Sequence, residues 1–281
     1  MIFDKDKDVL KSFFMYFDSV IYDLCEDFAS LENIENRVHH IPVVYDKPVI
    51  NRNVSIDQLD SEKKALLDIV MSRYPYVDNT IALNNLKNLK IEVFNINDLR
   101  DYAHYDMDKN RICLYNCEDT DTLFHELCHA FSYIYDNGIN YCGFSQSDSK
   151  FKNENFIALD EAYVSLMEKR RINDDDFYSE RYRRILLIEN IIGRENLAKY
   201  FFTANTRAVI DDMDKYIPEN MFLYYLRLLD FLYILDSKFL INKRKRNNMK
   251  KDFENEATGF EAYIKESYED INHKKLVLNI K

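Results

Sequence analysis

The sequence predicts a single α+β domain, residues 1–281, in which helices predominate. Glycine and proline each occur only 4 times, so residues that form tight turns are scarce and long helices are favoured over many short strands. Hydrophobic residues make up 47% of the sequence, which is enough to bury a sizeable core. A helical and β part is expected over residues 1–120, and a helical part that carries the functional site over residues 121–281.

Two helices are predicted in the first part of the chain. Over residues 7–30, apolar side chains recur at positions i, i+3 and i+4, which places them on one face of a long helix. Residues 59–73 show the same pattern, and Asp60 and Ser61 at its start are both residue types that cap helix N-termini.

A short strand and a β-hairpin are predicted next. Apolar residues alternate with polar ones over NLKIEVFNI, residues 88–96, which is the period of a strand. Two further alternating runs, 102–105 and 111–115, are separated by the turn-rich segment 106–110. The sequence therefore predicts a short antiparallel hairpin directly before the following helix.

Helices account for most of the remaining prediction. The segment TDTLFHELCHAFSYIYDNG, residues 120–138, has an apolar helical face, and the Asn-Gly pair at its end indicates a helix stop. Residues 139–155 are expected to form a loop, and the basic run 243–251 a solvated connection. The other segments with helical patterns are 156–171, 182–202, 218–239 and 252–268.

Charge and cysteine content exclude several classes of function. The net charge of −11, from 49 acidic and 38 basic side chains, opposes binding to nucleic acid or to an anionic membrane surface. The first 20 residues mix charged and apolar side chains, so neither a signal peptide nor a membrane span is expected. Five cysteines without a C-x-x-C pair are typical of reduced thiols, which favours a cytoplasmic protein.

The segment His125-Glu126-Leu127-Cys128-His129 carries the candidate chemistry. Histidines four residues apart lie on one face of a helix, so both imidazoles can bind one metal ion. Glu126 lies about 100° round the helix, where its carboxylate can act as a general base. This pattern predicts a zinc site used for hydrolysis.

A catalytic zinc needs a third protein ligand and one open position. The downstream acidic candidates are Glu154, Asp160, Glu161 and Glu168. Glu161 is favoured because it lies in a predicted helix between two small alanines that permit close approach, with Ser165 one turn further along the same face. Glu168 shares that face two turns further on and is the reserve candidate.

The two motifs together resemble the gluzincin class of zinc metallopeptidases. In that class the HExxH helix is followed by a helix with Asn/Asp-Glu-Ala/Gly, and this chain has Asp160-Glu161-Ala162. The resemblance covers residues 121–167, and segment 178–202 is similar to C-terminal helices of bacterial zincin-like proteins. It implies a zincin-like core, with one zinc held by His125, His129 and Glu161 and with Glu126 as the general base.

The same comparison leaves two roles to be assigned within this chain. Thermolysin-type gluzincins have a carboxylate one turn after the glutamate ligand, which orients a histidine ligand; this sequence has Ser165 there. A donor to the developing oxyanion is also needed. The candidates are Tyr178 and Tyr182, followed by Tyr141 and Tyr163, with His104 on the predicted hairpin as a further possibility.

The expected function is zinc-dependent hydrolysis of peptide bonds in a peptide or protein substrate. Zinc-activated water would be the nucleophile, Glu126 would accept its proton, and strand 111–115 would hold the extended substrate at a sheet edge. One alternative is a non-catalytic zincin-like module for binding or sensing. Glu126 is the feature against that alternative, since a structural site has no use for a base there. Another alternative is a metal-free helical protein in which both histidines are packed.

Overall fold

The computed structural model describes residues 44–49, 54–94, 103–115, 120–148, 155–171, 180–218, 220–237, 243–273 and 275–276. All of them belong to one compact unit, Val43–Lys281. The helix expected over residues 7–30 lies outside the described residues, and the expectation of a single domain over the whole chain stays a prediction.

Helices make up most of this unit, which confirms the mainly helical class. The first is a short 3-10 turn, Ile56–Gln58. The α-helices among the described residues are α1 Ser61–Met71, α2 Thr80–Leu86, α3 Thr120–Ser132, α4 Ile157–Arg171, α5 Glu180–Ile192, α6 Arg194–Phe202, α7 Thr206–Met213, α8 Met221–Ser237 and α9 Lys243–Asn272. None of these described helices is long and apolar enough to cross a bilayer.

The ends of two helices bear on the sequence predictions. Asp60 caps α1, since its side chain accepts a hydrogen bond from the backbone N–H of Lys63 at 2.9 Å. The basic run 243–251, expected to be a connection, is instead the beginning of α9. Exposed lysine and arginine are good helix formers, so a basic composition alone does not indicate a loop.

A three-stranded sheet precedes α3. It consists of β1 Lys90–Phe94, β2 Ala103–Asp106 and β3 Arg111–Tyr115 in the order β1-β3-β2. β2 and β3 form the predicted antiparallel hairpin, and β1 pairs with β3 in parallel. β3 is therefore the middle strand, and the expectation that it forms a substrate-binding edge is wrong because its neighbours already occupy its backbone groups. Within the described part of the sheet, β2 is the edge next to α3.

A second sheet, which the sequence analysis missed, follows α3. The strands β4 Tyr133–Asp136, β5 Ile139–Cys142 and β6 Ser145–Asp148 pair in order as an antiparallel meander. The helix therefore ends at Ser132 and does not continue to residue 138. Asn137 and Gly138 have positive φ angles of 50° and 85°, so they form the turn of a β-hairpin where a helix stop was expected.

Side-chain hydrogen bonds fix the point at which α3 ends. The amide nitrogen of Asn85, on α2, donates to the carbonyl oxygens of Ala130 at 2.7 Å and Tyr133 at 2.6 Å. These carbonyls at the C-terminus of α3 lack partners within the helix, and Asn85 satisfies them. The chain can then turn into β4.

α3 lies at the centre of the unit. Phe124, Leu127 and Phe131 on its apolar face are fully buried and pack towards the other helices. α4 runs antiparallel beside it, because Asp121, His125 and His129 contact, in that order, residues 171, 168 and 160. The remaining face of α3, which carries His125, Glu126 and His129, borders a cleft.

Candidate metal centre

The two histidines of α3 lie side by side, as the four-residue spacing predicts. Their ring centroids are 5.0 Å apart. His129 is buried, with 8% of its surface exposed, and His125 is partly buried. Both rings border the cleft between α3, α4 and the edge strand β2.

The carboxylate of Glu161, on α4, lies next to the Nε2 atoms of both imidazole rings. Its Oε2 lies 3.5 Å from Nε2 of His125, and its Oε1 lies 3.5 Å from Nε2 of His129. Donor atoms of the three residues all lie within 4.8 Å of one another. The structure therefore brings together the three residues predicted as metal ligands.

The opposite nitrogen of each ring contacts a different carboxylate. Nδ1 of His129 lies 3.1 Å from Oδ2 of Asp160, and Nδ1 of His125 lies 3.1 Å from Oε2 of Glu168. A hydrogen bond donated from Nδ1 leaves the Nε2 lone pair directed at a metal ion. Asp160 and Glu168, considered at first as alternative ligands, thus orient the rings.

Ser165 does not take the orienting role that its position suggested. It is partly exposed, and among the described contacts neither histidine has a hydrogen bond to it. Asp160 comes directly before Glu161, and Glu168 comes two turns after it. The carboxylates that contact the Nδ1 atoms therefore lie on either side of Ser165 in the sequence. The antiparallel course of α3 and α4 is what places each of them opposite one histidine.

Asp160 is held in place by the second sheet. Its side chain is 2% exposed, and its Oδ1 accepts a hydrogen bond from the backbone N–H of Phe144 at 2.8 Å. Phe144 lies in the turn between β5 and β6, directly after Gly143. Asp160 therefore links this turn to His129, and the sheet that the sequence analysis missed is part of the support for the centre.

Both ends of α4 are anchored. Asp230 on α8 accepts hydrogen bonds from the backbone N–H groups of Phe156 at 2.7 Å and Ala158 at 2.9 Å, which lack partners within the helix. At the other end, Arg170 donates two hydrogen bonds of 2.6 Å to Glu189 on α5, and Arg171 pairs with Asp121 on α3. These contacts fix α4, and with it Glu161, against α3.

The pKa values of the two histidines reflect this surrounding of carboxylates. Burial by itself lowers the pKa of His129, but its hydrogen bonds with Asp160 and Cys142 hold that pKa well above its ordinary value. Burial likewise lowers the pKa of His125, and hydrogen bonds with Glu161 and Glu168 outweigh it, so the net shift is upward. Both imidazoles are thus stabilised as cations by the same carboxylates that would compensate a metal ion.

Glu126 lies beside the ring pair and lines the same cleft. Its side chain is 8% exposed. Burial raises the pKa of its carboxyl group above the ordinary value, and the nearby His129 and His125 only partly offset that rise. A carboxylate with a raised pKa at the wall of a cleft is suited to accept a proton and return it.

The donor set fits a zinc ion. Two imidazole nitrogens and one carboxylate are a usual set of three protein ligands for catalytic zinc. Ligand atoms about 2.0–2.2 Å from a tetrahedral zinc lie about 3.3–3.6 Å from one another, and the observed separations of 3.5 Å from Glu161 to each ring agree with this. The excess of carboxylates over histidines also favours a divalent cation.

The cleft beside this centre has a volume of about 430 Å³. β2 forms one wall through Ala103, His104 and Tyr105, and Cys142 and Ser145 from the second sheet contribute to another. The Sγ atom of Cys142 lies 3.7 Å from Nδ1 of His129, on the side of the ring that Asp160 already occupies. The cleft is therefore lined both by the edge strand and by the three predicted ligands His125, His129 and Glu161.

The tyrosines at the cleft differ from those chosen from the sequence. Tyr105 and Tyr233 line it. Tyr182 is on α5 and is not among the lining residues, and Tyr178 lies outside the described residues, as does Glu154. Two remaining candidates are buried elsewhere: Tyr163 packs on Phe144 and Phe201, and Tyr141 on Ile81 and Ala204. His104 does line the cleft, with its ring 3.2 Å from the hydroxyl of Tyr115.

Sequence reasoning had no local signal for Tyr233. It is on α8, more than 60 residues after Glu161, and reaches the cleft only through the packing of α8 on α4.

Comparison with protein-family models, curated proteins and solved structures finds no match to this chain.

Proposed function

We propose that the protein is a zinc-dependent hydrolase of peptide bonds. His125, His129 and Glu161 would hold the metal, and Glu126 would act as the general base. The observation that carries the proposal is the division of the histidine nitrogens: both Nε2 atoms face Glu161, while both Nδ1 atoms contact other carboxylates. The motif resemblance to gluzincins supports the same reading.

When bound, zinc supplies a Lewis acid that polarises a carbonyl group and activates water. Glu126 would take up the proton of the attacking water and deliver it to the leaving nitrogen, which suits its buried position and raised pKa. Asp160 and Glu168 would keep the histidine rings in the orientation and tautomer that ligation requires.

The cleft suggests how a peptide would bind. β2 is the edge strand of the described sheet and lines the cleft, so an extended peptide could add to it by main-chain hydrogen bonds. This corrects the earlier assignment of substrate binding to strand 111–115. Tyr105 and Tyr233 both line the cleft, and they are the tyrosines we propose as candidates for oxyanion stabilisation.

A cleavage profile tests this function. Zinc-loaded protein would be incubated with a peptide library and the products identified by mass spectrometry. Glu126→Gln should bind zinc as the wild type does and lose about 10²–10⁴ in rate, because a positioned base is removed and no ligand is. Ser165→Ala, on the same helix as Glu161 and without a described hydrogen bond to either histidine, is the control and should retain activity.

Other outcomes would argue against the assignment. Zinc binding without turnover of any peptide would favour the non-catalytic binding or sensing module. Loss of zinc in Glu126→Gln would contradict its separation from the ligands. The absence of nucleic-acid or membrane partners stays a prediction, supported by the net charge of −11. A cytoplasmic location stays a prediction too, supported by the five cysteines without a C-x-x-C pair.

A further inference from the structure

A second cavity, of about 170 Å³, lies on the other side of α4 from the metal centre. At about 100° per residue, Ala158, Leu159 and Ala162 are centred about 150° round the helix from the residues of α4 that line the first cleft, Ile157, Asp160 and Glu161. α5 and α8 supply the remaining walls. The apolar lining includes Ala158, Ala162, Ile185, Ile188, Leu229 and Leu232.

One buried charged side chain lines this apolar cavity. Arg184 is 8% exposed, and its Nε donates a hydrogen bond to Oε1 of Glu261 at 3.1 Å. Its Nη2 is buried and has no hydrogen-bond partner among the described residues. The other oxygen of Glu261 lies 2.6 Å from Nη2 of Arg183, so one carboxylate is shared between two guanidinium groups.

Two guanidinium groups share the single carboxylate of Glu261, so this cluster carries a net positive charge, and an anion that enters the cavity would bind favourably. The planar guanidinium group matches a carboxylate in both charge and geometry. A cavity of about 150 Å³ holds a molecule the size of benzene, so the apolar walls leave room for a tail of about five carbon atoms. A ligand that meets both conditions is a small monocarboxylate with a short branched or cyclic apolar tail.

Among the described residues that line the cavity, one is acidic, and its charge is screened by solvent. Asp236 has a side chain that is 60% exposed, and its Oδ1 lies 2.6 Å from Nζ of Lys250. Lys250 also lies 3.9 Å from Oε1 of Glu254, so it offsets part of the negative charge there. An approaching carboxylate therefore meets screened charges near the solvent and the guanidinium group of Arg184 inside.

We propose that this cavity is a binding site for a small monocarboxylate with an apolar tail, which Arg184 holds through its carboxylate group. The site is separate from the metal centre and does not rest on the proposed hydrolase activity. Tyr233 lines both cavities, so a bound carboxylate would lie directly behind a wall of the catalytic cleft.

Calorimetric titration of the full chain with 4-methylpentanoate tests the site, with the uncharged amide 4-methylpentanamide as the matched probe. For a ligand of eight heavy atoms we expect a Kd of about 1 mM or tighter. The amide should bind about tenfold more weakly or worse, since it lacks the charge that pairs with the guanidinium group. Equal affinity for acid and amide, or no binding of the acid by folded wild-type protein, would overturn the proposal.

Two arginine variants separate the cavity from the surrounding ion pairs. Arg184→Met should lose about tenfold or more in affinity for the acid, whereas Arg183→Lys, which keeps the positive charge beside Glu261, should keep wild-type affinity. Arg183 pairs with the same Glu261, but its side chain is 40% exposed and it does not line the cavity. Ala158→Leu, which fills the cavity and keeps both arginines, should also abolish binding. Unchanged affinity in Arg184→Met or in Ala158→Leu would refute the site.

Discussion

Nδ1 of His125 lies 3.1 Å from Oε2 of Glu168, although Glu168 comes two helical turns after the proposed ligand Glu161. The antiparallel packing of α3 and α4 explains this contact. The same alignment that brings Glu161 to both Nε2 atoms places Glu168 beside the ring of His125. A carboxylate at Nδ1 fixes the tautomer of a histidine ligand and raises the basicity of its Nε2. Glu168 would therefore act on a bound metal through His125.

Glu168→Gln should weaken zinc binding about 10–100-fold, the usual effect of removing a carboxylate that supports a histidine ligand. Competition with a chromogenic chelator measures the change in Kd for zinc. Ser165→Ala, on the same helix between Glu161 and Glu168, is the control and should leave the affinity unchanged. A loss in Ser165→Ala, with Glu168→Gln unaffected, would restore the role first expected of Ser165.

The protein prepared without chelators should contain close to one zinc per chain, and His125→Ala should contain almost none, because two protein ligands are a poor set for retaining zinc. Elemental analysis after dialysis gives the stoichiometry. His104→Ala is the matched control, since His104 lines the same cleft without facing Glu161, and it should keep its zinc. If the wild type neither contains zinc nor binds it when zinc is added, the metal assignment fails.

The proximity of His125 and His129 was predictable because their geometry is local. A spacing of four residues within a helix places two side chains on one face in any fold, so His125 and His129 needed no tertiary information. Glu161 was predicted from its position in a second helix, where small alanines flank it. Glu168 and Asp160 could be identified as supporting residues only from the axial offset between α3 and α4, which neither helix encodes by itself.

The second sheet was missed although the sequence contained its signal. Asn-Gly at residues 137–138 is typical of a two-residue hairpin turn, and the segment Tyr133–Asp136 before it is aromatic and β-branched. The apolar pattern of α3 runs into this strand without a break, so helical periodicity appeared to continue to the glycine. The hydrogen bonds from Asn85 that end the helix come from α2, 45 residues earlier, and have no sequence signature.

The carboxyl group of Glu256, on α9, predicts how the stability of the fold depends on pH. Burial, with Asp252 one turn before it on α9, raises the pKa of Glu256 from its ordinary 4.5 to about 7. Because folding raises this pKa, ionised Glu256 destabilises the fold. The destabilisation is absent below pH 4.5, grows as the pH rises towards 7, and is complete above it.

Glu256→Gln should therefore raise Tm at pH 8 by about 2–4 °C, the shift that about 1 kcal/mol produces in a chain of this size, and change it little at pH 4. Thermal unfolding followed by circular dichroism at the two pH values measures this difference. Glu266→Gln, at an exposed position of the same helix, should change Tm by less at both. An equal rise at both pH values would show that the charge of Glu256 is not the cause.

Substitutions at two glycines of the second sheet can separate the effect of backbone strain from the effect of steric overlap at the metal centre. Gly138 and Gly143 both have positive φ angles, 85° and 56°, so alanine at either position costs about 1–2 kcal/mol in backbone strain. A Cβ at Gly138 would meet no atom within 4 Å, whereas a Cβ at Gly143 would overlap Oδ1 of Asp160 and the ring of Phe201.

Gly138→Ala should therefore lower the free energy of unfolding by about 1–2 kcal/mol and leave zinc affinity unchanged. Gly143→Ala should lower it by about 2–5 kcal/mol, because overpacking adds to the strain. It should also weaken zinc binding, since Asp160 must move and its contact with Nδ1 of His129 is lost. Denaturant unfolding of the metal-free proteins, with zinc titration of the folded ones, measures both effects. If Gly143→Ala lost stability but bound zinc like Gly138→Ala, Asp160 would support the fold and not the metal site.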